Sequence, residues 1–539
     1  MTKYFNMNKI VLNPSTKIRS IVFKIAICLS CVSFQTATAA ISWQHCFGGS
    51  DDDLSMNLIQ TRDHGFLVVG MTSSIDGDLA NSTVHGFDDV WLLRLDSNLN
   101  LVWKKSYGGS ASDIALDAAQ TPDGGFIVAG NTDSNDGDVT ANHGNGDIWI
   151  FKIDSLGNLQ WQKSIGGAEY DCPLSVLVNS SNKILVCGGT ESSDGDFSVN
   201  HGWTDEFVIQ MDLSGTINWI KTYGGSDDDV AYEIIENSSN SSMVIGYAYS
   251  DDYDVSLNHG AADIWLTKID NLGNLQSEKV YGGSEDDMTT NVCKLAGGKY
   301  FFAANTYSFD GDVTGSHGNG DYWTVVVDST SGQILHEKCF GGTDEDSPWR
   351  ISKSIDGSII ITGSSLSNDG DVNNNYGDFD GWILHVDTAL NLIWSTIVGG
   401  SAEDDLYGVC ANNDGSVLLT GYTYSNDHDV SGNHSINSDI WALKLDSHTG
   451  IVSTGQTKIN LQVYPNPSAG DLFVNTDKDL FAGKVIIRDI NGNEVYNNTL
   501  SFRKNEVVKI PMTLSSGMYQ INIFDNSDLI YSKKIIVAK

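Results

Sequence analysis

The sequence predicts an all-β fold: a seven-bladed β-propeller with four-stranded blades, followed by a small Ig-like β-sandwich. Two observations point to the propeller. A Gly-Gly pair followed by acidic residues recurs seven times at intervals of 58 to 60 residues, from Gly48-Gly49 to Gly399-Gly400. Each interval contains four short runs of apolar and β-branched residues, separated by turn residues. Four strands in a repeat of this length are typical of a propeller blade.

The second repeat shows this pattern clearly. Its four runs predict strands over 114–121, 125–132, 147–154 and 159–166. Tight-turn residues join the first run to the second and the third to the fourth, whereas a longer loop separates the second from the third. Antiparallel hairpins of this kind favour a propeller over a parallel β-helix.

The two ends of the repeat array predict how it closes. The segment 41–49 matches a fourth strand that has no blade before it, and the last repeat lacks a good fourth strand. We therefore expect the N-terminal strand to complete the seventh blade, which removes the free edges of an open array.

The N-terminus has the features of a secretory signal peptide over 1–40. Five basic and no acidic side chains are followed by an apolar run from about Ile25 to Phe34 and by the small residues Ala37 to Ala40. No other segment approaches the roughly 20 apolar residues of a membrane span. We expect no transmembrane anchor after the signal is removed.

Charge is concentrated in the repeats. Residues 41–457 carry 61 acidic and 16 basic side chains, a net charge of −45. Such a surface repels phosphate groups, so nucleic acid is not expected as a partner, whereas cations and cationic partners fit it. The six cysteines after the signal are expected to be buried free thiols rather than a disulfide framework.

Four aspartates recur in each repeat. Two form a D-x-D after the second strand, one precedes the third strand, and one follows the Gly-Gly pair by four residues. Closely spaced oxygen ligands suit Ca²⁺, although each aspartate can instead hold its own loop by accepting backbone N–H groups. The candidate calcium ligands are Asp76, Asp78, Asp136, Asp138, Asp194, Asp196, Asp310, Asp312, Asp369 and Asp371.

Tryptophans recur in the third and fourth strands of the repeats. An exposed aromatic row would bind sugar rings by stacking, but recurrence in nearly every repeat favours packing between blades. The third-strand positions are Trp91, Trp149, Trp265, Trp323, Trp382 and Trp441, with Phe207 in the remaining repeat.

The repeats differ at one polar position in the first strand, eight residues after the Gly-Gly pair. It reads Asn57, Asp117, Ser175, Glu233, Asn291, Arg350 and Gly408. The first strand lies nearest the propeller axis, so we predict a ligand site formed by Asp117, Glu233, Trp349 and Arg350. The alternative is a polar channel lining. Neither G-x-S-x-G nor H-E-x-x-H occurs, and no catalytic residue is assigned.

Two resemblances follow from these motifs. The unit GGSxxD, DGGFxVAG, DGDV, HGxxDIWxxKxD resembles bacterial β-propeller repeats of secreted and surface proteins over about 41–457. The segments VYPNPSAGDLFV, VIIRDINGNEVY and LSSGMYQINIF, with the closing KKIIVAK, are similar to the C-terminal sorting domain of type IX secretion cargo in Bacteroidota, over 458–539. The second resemblance implies recognition of residues 458–539 by the type IX secretion machinery, and release or attachment at the outer-membrane surface.

Together these observations predict a secreted or cell-surface, non-catalytic propeller that binds an extracellular glycan or protein. Two alternatives stay open on the sequence alone: an extracellular polysaccharide hydrolase or lyase, and a structural surface component. Calcium is the one cofactor that the acidic loops suggest.

Overall fold

The structure is a computed structural model. It describes residues 40–446 except 81 and 83, and residues 461–538 with gaps at 465–467, 469–470, 477–479, 490–493, 505–506, 511–513 and 526–527. The predicted signal peptide before residue 40 and the predicted domain boundary at 457/458 lie outside the described residues.

Residues 40–446 have an all-β, β-propeller-like fold. The described part of this segment contains seven four-stranded antiparallel sheets. Within sheets 1 to 6 the strands are hydrogen-bonded in sequence order, as hairpins require. The one described helix is a single 3₁₀ turn, Gly77–Leu79.

The strand bounds follow the 58 to 60-residue repeat. The chain starts with β1 (Ile41–Phe47). Sheet 1 is β2 (Asp53–Gln60), β3 (Phe66–Thr72), β4 (Asp89–Leu95) and β5 (Leu101–Tyr107). Sheet 2 is β6 (Asp113–Gln120), β7 (Phe126–Thr132), β8 (Asp147–Ile153) and β9 (Leu159–Ile165). Sheet 3 is β10 (Asp171–Val178), β11 (Lys183–Thr190), β12 (Asp205–Asp212) and β13 (Ile217–Tyr223). The four strands predicted for the second repeat are confirmed to within one residue at each end.

The remaining sheets repeat this order. Sheet 4 is β14 (Asp229–Ser238), β15 (Ser241–Ala248), β16 (Asp263–Asp270) and β17 (Leu275–Tyr281). Sheet 5 is β18 (Asp287–Leu295), β19 (Lys299–Thr306), β20 (Asp321–Asp328) and β21 (Ile334–Phe340). Sheet 6 is β22 (Asp346–Lys353), β23 (Ile359–Ser365), β24 (Asp380–Val386) and β25 (Leu392–Val398). Sheet 7 combines β26 (Asp404–Ala411), β27 (Val417–Thr423) and β28 (Asp439–Leu445) with β1.

The N-terminal strand is the fourth strand of sheet 7, as its sequence predicts. β1 pairs antiparallel with β28, with Gln44 opposite Leu443 and Phe47 opposite Ile440. The first strands of sheets 1 and 7 are also in contact, since the Cys410 thiol donates to the Leu58 carbonyl. The two ends of the array are therefore joined by backbone pairing, which leaves no free edge at this point.

Tryptophans form the core, and the packing interpretation is confirmed. All six third-strand tryptophans are among the largest fully buried side chains, as is Phe207. The fourth-strand tryptophans are half-buried, and three of them donate Nε1–H to a carbonyl in the following repeat at 3.1 Å: Trp103 to Ser155, Trp161 to Leu213 and Trp219 to Asn271. Sheets 1 to 3 are thus each tied to the next sheet by an indole hydrogen bond.

Every first strand carries a β-bulge at the same place. Each first strand begins with an aspartate, and the third residue after it has no partner on the second strand. In sheet 6, for example, Pro348 and Arg350 pair with consecutive residues of the second strand, and Trp349 between them is unpaired. The seven skipped residues, called the bulge row below, are Met56, Leu116, Leu174, Tyr232, Thr290, Trp349 and Tyr407. A bulge turns the skipped residue and the next one toward the same side, here the centre of the array.

Residues 461–538 form two further antiparallel sheets. One contains β29 (Leu461–Tyr464), β30 (Leu472–Thr476) and β33 (Val507–Ile510). The other contains β31 (Leu480–Asp489), β32 (Glu494–Phe502), β34 (Gly517–Asp525) and β35 (Asp528–Val537). Side chains from both sheets, among them Val474, Phe502 and Ile521, form one buried cluster. Apolar residues facing inward from both sheets make this a two-layer unit.

No helix of the described residues is long and apolar enough to span a bilayer. The six cysteines after residue 40 are free, as predicted; four of them are buried, whereas Cys172 and Cys293 are half-buried.

Candidate functional site

The D-x-D aspartates hold the loops that cross from one sheet to the next. In all seven repeats the first of them accepts the backbone N–H of the residue after the Gly-Gly pair, for example Asp76 Oδ1 from Ser50 at 2.8 Å. The second accepts the first glycine N–H in repeats 1 to 3, for example Asp138 Oδ2 from Gly108 at 3.3 Å. These carboxylates stabilise the crossing as Asx-type acceptors do.

The other two aspartates of each repeat are inside the fold, not on its surface as the sequence suggested. The aspartate that begins each first strand is 0% exposed and accepts the second glycine N–H and a serine hydroxyl, as Asp113 does from Gly109 and Ser134, both at 2.7 Å. The aspartate that begins each third strand is also 0% exposed, and in six repeats it accepts from a histidine ring, as Asp205 does from His201 at 2.9 Å. The histidine ring therefore packs beside its own loop and helps to hold the buried carboxylate.

These buried carboxylates meet in pairs across the Gly-Gly pair. A Cβ atom on Gly108 would lie 2.8 Å from Asp89 Oδ1 and 2.7 Å from Asp113 Oδ2, so no larger residue fits there. Burial raises the pKa of Asp113 to about 6, and the nearby Asp89 adds to the rise. Removing two carboxylates from water disfavours their charged forms.

Calcium stays a prediction. Eight of the ten D-x-D carboxylates that were assigned to it already accept backbone N–H groups. Within the described residues no group of three or more His, Cys, Asp or Glu side chains is placed to hold a metal ion.

Polar side chains at the position after the bulge form a network between first strands, which we call the belt. Asn57 Nδ2 donates to Asp117 Oδ1 at 2.6 Å, and the Val176 N–H donates to Asp117 Oδ2 at 2.7 Å. On the other side, Glu233 Oε2 accepts from Asn291 Nδ2 at 2.8 Å and from Arg350 Nη1 at 3.1 Å. Side chains from neighbouring first strands therefore bind one another instead of facing open solvent.

The belt contains two carboxylates and one guanidinium. Burial raises the pKa of Glu233 and of Asp117, and Arg350 opposes the rise in both. For both carboxylates the loss of hydration outweighs the attraction of the one guanidinium, so the pKa of each stays raised. Three of the four residues predicted as a ligand site are thus brought together here.

Trp349, the fourth predicted residue, lies apart from the belt, on the side of the acidic loops. Its Nε1–H donates to Asp405 Oδ1 at 3.0 Å, and its ring stacks on Tyr407 with 4.9 Å between centroids and 27° between planes. Tyr407 in turn stacks on Tyr422 at 5.9 Å. Burial raises the pKa of Asp405 to about 7, and Glu403 adds to the rise.

Tyrosines occupy the bulge row or the end of the second strand in sheets 4, 5 and 7, whereas sheets 1 to 3 have none at these positions. Sheets 4 and 7 carry the same three, one in the bulge row and two at the end of the second strand: Tyr232, Tyr247 and Tyr249, and Tyr407, Tyr422 and Tyr424. Sheet 5 adds Tyr307. Four of the seven hydroxyls donate to carboxylates at the loop before a first strand, for example Tyr249 to Asp286 at 2.9 Å and Tyr422 to Glu403 at 2.6 Å. We call these seven tyrosines with Trp349 the aromatic mouth.

Sequence reasoning found Trp349 but missed its partners. Asp405 and Tyr407 belong to the next repeat, and only the bulge brings them against the indole. A signal was present, since the bulge row is aromatic in repeats 4, 6 and 7 and aliphatic in repeats 1 to 3. A comparison of every position across the repeats would have found it.

The C-terminal unit defines the class of protein. The family model of the secretion system C-terminal sorting domain matches residues 462–538. The chain is therefore a β-propeller-like repeat protein with a type IX sorting domain, and it is secreted by that system to the cell surface or the extracellular space. The predicted resemblance of the tail is confirmed.

A curated relative matches part of the chain. The Regulatory protein FlaEY of Caulobacter vibrioides is 24% identical over 383 residues, which is 62% of this chain. The chain spans 39% of the length of that relative.

Solved structures resemble the chain only distantly. A fungal alcohol oxidase of the AA5 family, in complex with copper, has a TM-score of 0.42 at 11% identity, covering 93% of this chain and 100% of its own. Sqt1 from Chaetomium thermophilum has a TM-score of 0.39 at 11% identity, covering 75% and 100%. The GH93 alpha-L-arabinofuranosidase of Fusarium graminearum with arabinobiose has a TM-score of 0.36 at 10% identity, covering 61% and 92%.

Proposed function

We propose that this protein is a secreted, non-catalytic binding scaffold whose ligand site is the aromatic mouth of a closed seven-bladed propeller. The seven sheets are the blades, and β1 closes the last of them. Closure is supported by the pairing of β1 with β28 and by the hydrogen bond between Ser55 and Thr420, at 2.9 Å, which joins sheets 1 and 7.

The proposed domains are a signal peptide at 1–40, the propeller at 41–457 and the sorting domain at 458–539. An Ig-like sandwich is the proposed fold of the sorting domain. It is supported by the two antiparallel sheets and their shared apolar cluster.

The observation that carries the proposal is the way the repeats differ. Positions that build the fold are nearly the same in all seven copies, whereas the bulge row is aromatic only in repeats 4, 6 and 7. All seven bulge residues are half-buried and keep part of their surface accessible. Aromatic rings that keep exposed area beside fixed carboxylates are typical of ligand sites.

A non-catalytic role is supported by the state of the belt carboxylates. Both oxygens of Asp117 accept hydrogen bonds from the protein, from Asn57 and Ala118 on one and from Val176 on the other. Glu233 is held by Asn291 and Arg350. A general acid or base needs a carboxylate within reach of a substrate proton, and these are engaged below the mouth.

The proposed partners are the type IX machinery, through 458–539, and an extracellular glycan or protein at the mouth. The test is a binding screen of the mature protein against glycans and matrix proteins, repeated with Trp349→Leu and with Leu116→Met as the control. Both variants introduce a side chain that another repeat has at the same position.

A ligand that is lost on Trp349→Leu and kept on Leu116→Met supports the proposal. A ligand that binds both variants equally rejects the mouth as the site. New reducing ends or unsaturated products from a polysaccharide panel would reject the non-catalytic role.

A further inference from the structure

The aromatic mouth covers one half of the channel entrance. The bulge row supplies Tyr232, Trp349 and Tyr407 on that half, and Met56, Leu116 and Leu174 on the other. The repeats are otherwise nearly equivalent, so this asymmetry is not required to build the fold.

Trp349 is a half-buried ring that is covered on one face. That face is covered by Tyr407, and its Nε1–H is fixed by Asp405. On the open side the bulge residue of the preceding sheet is Thr290, whose hydroxyl donates to the Trp349 carbonyl at 2.8 Å. Thr290 is the smallest residue of the bulge row, and among the described residues no ring lies against that face of the indole. Trp349 is half-buried, so part of its ring surface stays accessible.

The charges around this space are negative. Glu345 accepts from Tyr307 at 3.2 Å and Glu403 accepts from Tyr422, so both carboxylates are held beside the rings. Across the bulge row and the belt, Arg350 is the one basic side chain, and it is paired with Glu233. Fixed carboxylates repel an anion and attract a cation, and the face of an aromatic ring adds to that attraction.

We propose that the aromatic mouth binds an organic ammonium group, which packs against the open face of Trp349 and is stabilised by the surrounding carboxylates. This inference rests on the proposed function and names the chemical class of its ligand. The charge supplies the specificity, because a neutral group of the same shape gains the apolar contact but not the attraction to the ring and the carboxylates. Tryptophan is the aromatic side chain that attracts a cation most strongly.

The experiment compares choline with 3,3-dimethylbutan-1-ol, which has the same shape without the charge. Both are titrated into the mature protein by ligand-observed NMR. We expect choline to bind about tenfold more tightly than the alcohol, in line with a desolvated cation–π contact. Glucosamine against N-acetylglucosamine, and lysine amide against Nε-acetyl-lysine amide, test sugar and peptide sources of the same group. In both pairs the acetylated compound is expected to bind more weakly.

The variant Trp349→Leu is expected to lower the affinity for choline about tenfold. The control variant Leu116→Met is expected to leave this affinity unchanged. Tyr407→Leu, which also introduces a side chain found in other repeats, serves as a second variant if Trp349→Leu does not fold. Equal binding of the charged and neutral compounds, or no binding of any ammonium compound, overturns the inference.

If the screen finds a neutral or anionic ligand whose binding is lost in Trp349→Leu, the proposed ammonium class of ligand is overturned. The proposed binding function at the aromatic mouth is then still supported. A ligand unaffected by that variant would overturn the proposed site itself.

Discussion

Arg350 on the sixth sheet bridges to Glu233 on the fourth, with 3.1 Å between Nη1 and Oε2, and so passes over the whole fifth sheet. Asn291 of the fifth sheet donates to the same Glu233 oxygen at 2.8 Å. First strands that are 117 residues apart in sequence are therefore held together at the channel. This contact leads to the first prediction.

Removal of one partner of the Arg350–Glu233 pair should lower the free energy of unfolding more than removal of both partners. Arg350→Met leaves Glu233 without its counter-charge and is expected to lower the free energy of unfolding by about 3 kcal/mol. The double variant Arg350→Met/Glu233→Leu should recover part of that loss, because no charge is then left unpaired. Urea denaturation of the two single variants and the double variant gives the coupling energy. Additive effects would show that the ion pair does not couple the two sheets.

Glu206 is a buried carboxylate where other repeats have isoleucine, as at Ile148 and Ile264. It is 0% exposed, and burial raises its pKa well above the usual value. Glu206→Ile is expected to raise the free energy of unfolding by about 2 kcal/mol, because the buried polar group is lost. The gain should grow with pH above about 4.5, since the unfolded glutamate then ionises and the folded one does not.

Chemical denaturation of Glu206→Ile at pH 5 and pH 8 measures both effects. Ile264→Val is the control at the equivalent position, with an expected loss of about 1 kcal/mol. A destabilised Glu206→Ile variant would show that the glutamate has a structural role.

Stability should increase as the pH falls from about 7 toward 4. Burial raises the pKa of Asp53 and Asp380 to about 7 and that of Asp229, Asp287 and Asp346 to about 6. A carboxylate whose folded pKa is raised holds a proton that the unfolded chain releases above its ordinary pKa near 4. Acid therefore favours the folded form through that window. The urea midpoint at pH 8, 6.5 and 5 measures this, and a midpoint that falls with acid would contradict it.

Calcium dependence is tested at pH 8, where the carboxylates are most charged. If the acidic loops bind Ca²⁺, millimolar Ca²⁺ should raise the melting temperature above its value in excess EDTA, because a ligand of the folded state stabilises that state. The double variant Asp136→Asn/Asp138→Asn should reduce the rise. The same melting temperature in both buffers would show that the acidic loops do not bind Ca²⁺ under these conditions, and the calcium prediction would be rejected.

Deletion of residues 41–47 should destabilise the propeller strongly. The deletion removes the partner of β28 and leaves that strand as an exposed edge, which favours aggregation. A synthetic peptide of sequence 41–47, added in excess, should restore the melting temperature, whereas a scrambled peptide should not. An unchanged melting temperature after deletion would show that β1 does not close the ring.

The structural role of the repeated positions could be predicted from the sequence. The role of the positions that differ between repeats could be predicted only in part. Spacing and alternation predict the strands, the buried tryptophans and the position of β1, because a copied unit repeats its own signals. Trp349 and Arg350 could be named because each departs from its equivalents. The bulge at these two residues is not marked by a glycine in the sequence. In a regular strand neighbouring side chains point to opposite faces, so the alternation rule would place Trp349 and Arg350 on different sides.

The aspartates show a second limit. Their recurrence predicts one acidic face, but the sequence does not distinguish Asp76, which accepts a backbone N–H at the surface, from Asp53, which is fully buried. Burial depends on how closely adjacent sheets approach at the Gly-Gly pair, and this distance is set by tertiary packing rather than by local pattern.

The repeated bulge places a bulge-row residue beside a belt position in each copy, and the two rows have different neighbours. Belt side chains bind one another, as Glu233 does with Asn291 and Arg350, while bulge-row side chains stay half-buried. A substitution in the bulge row can therefore change a binding surface without breaking the belt. A gene that duplicates such a unit duplicates one variable position together with a constant support, so new specificities can arise one residue at a time on an unchanged ring.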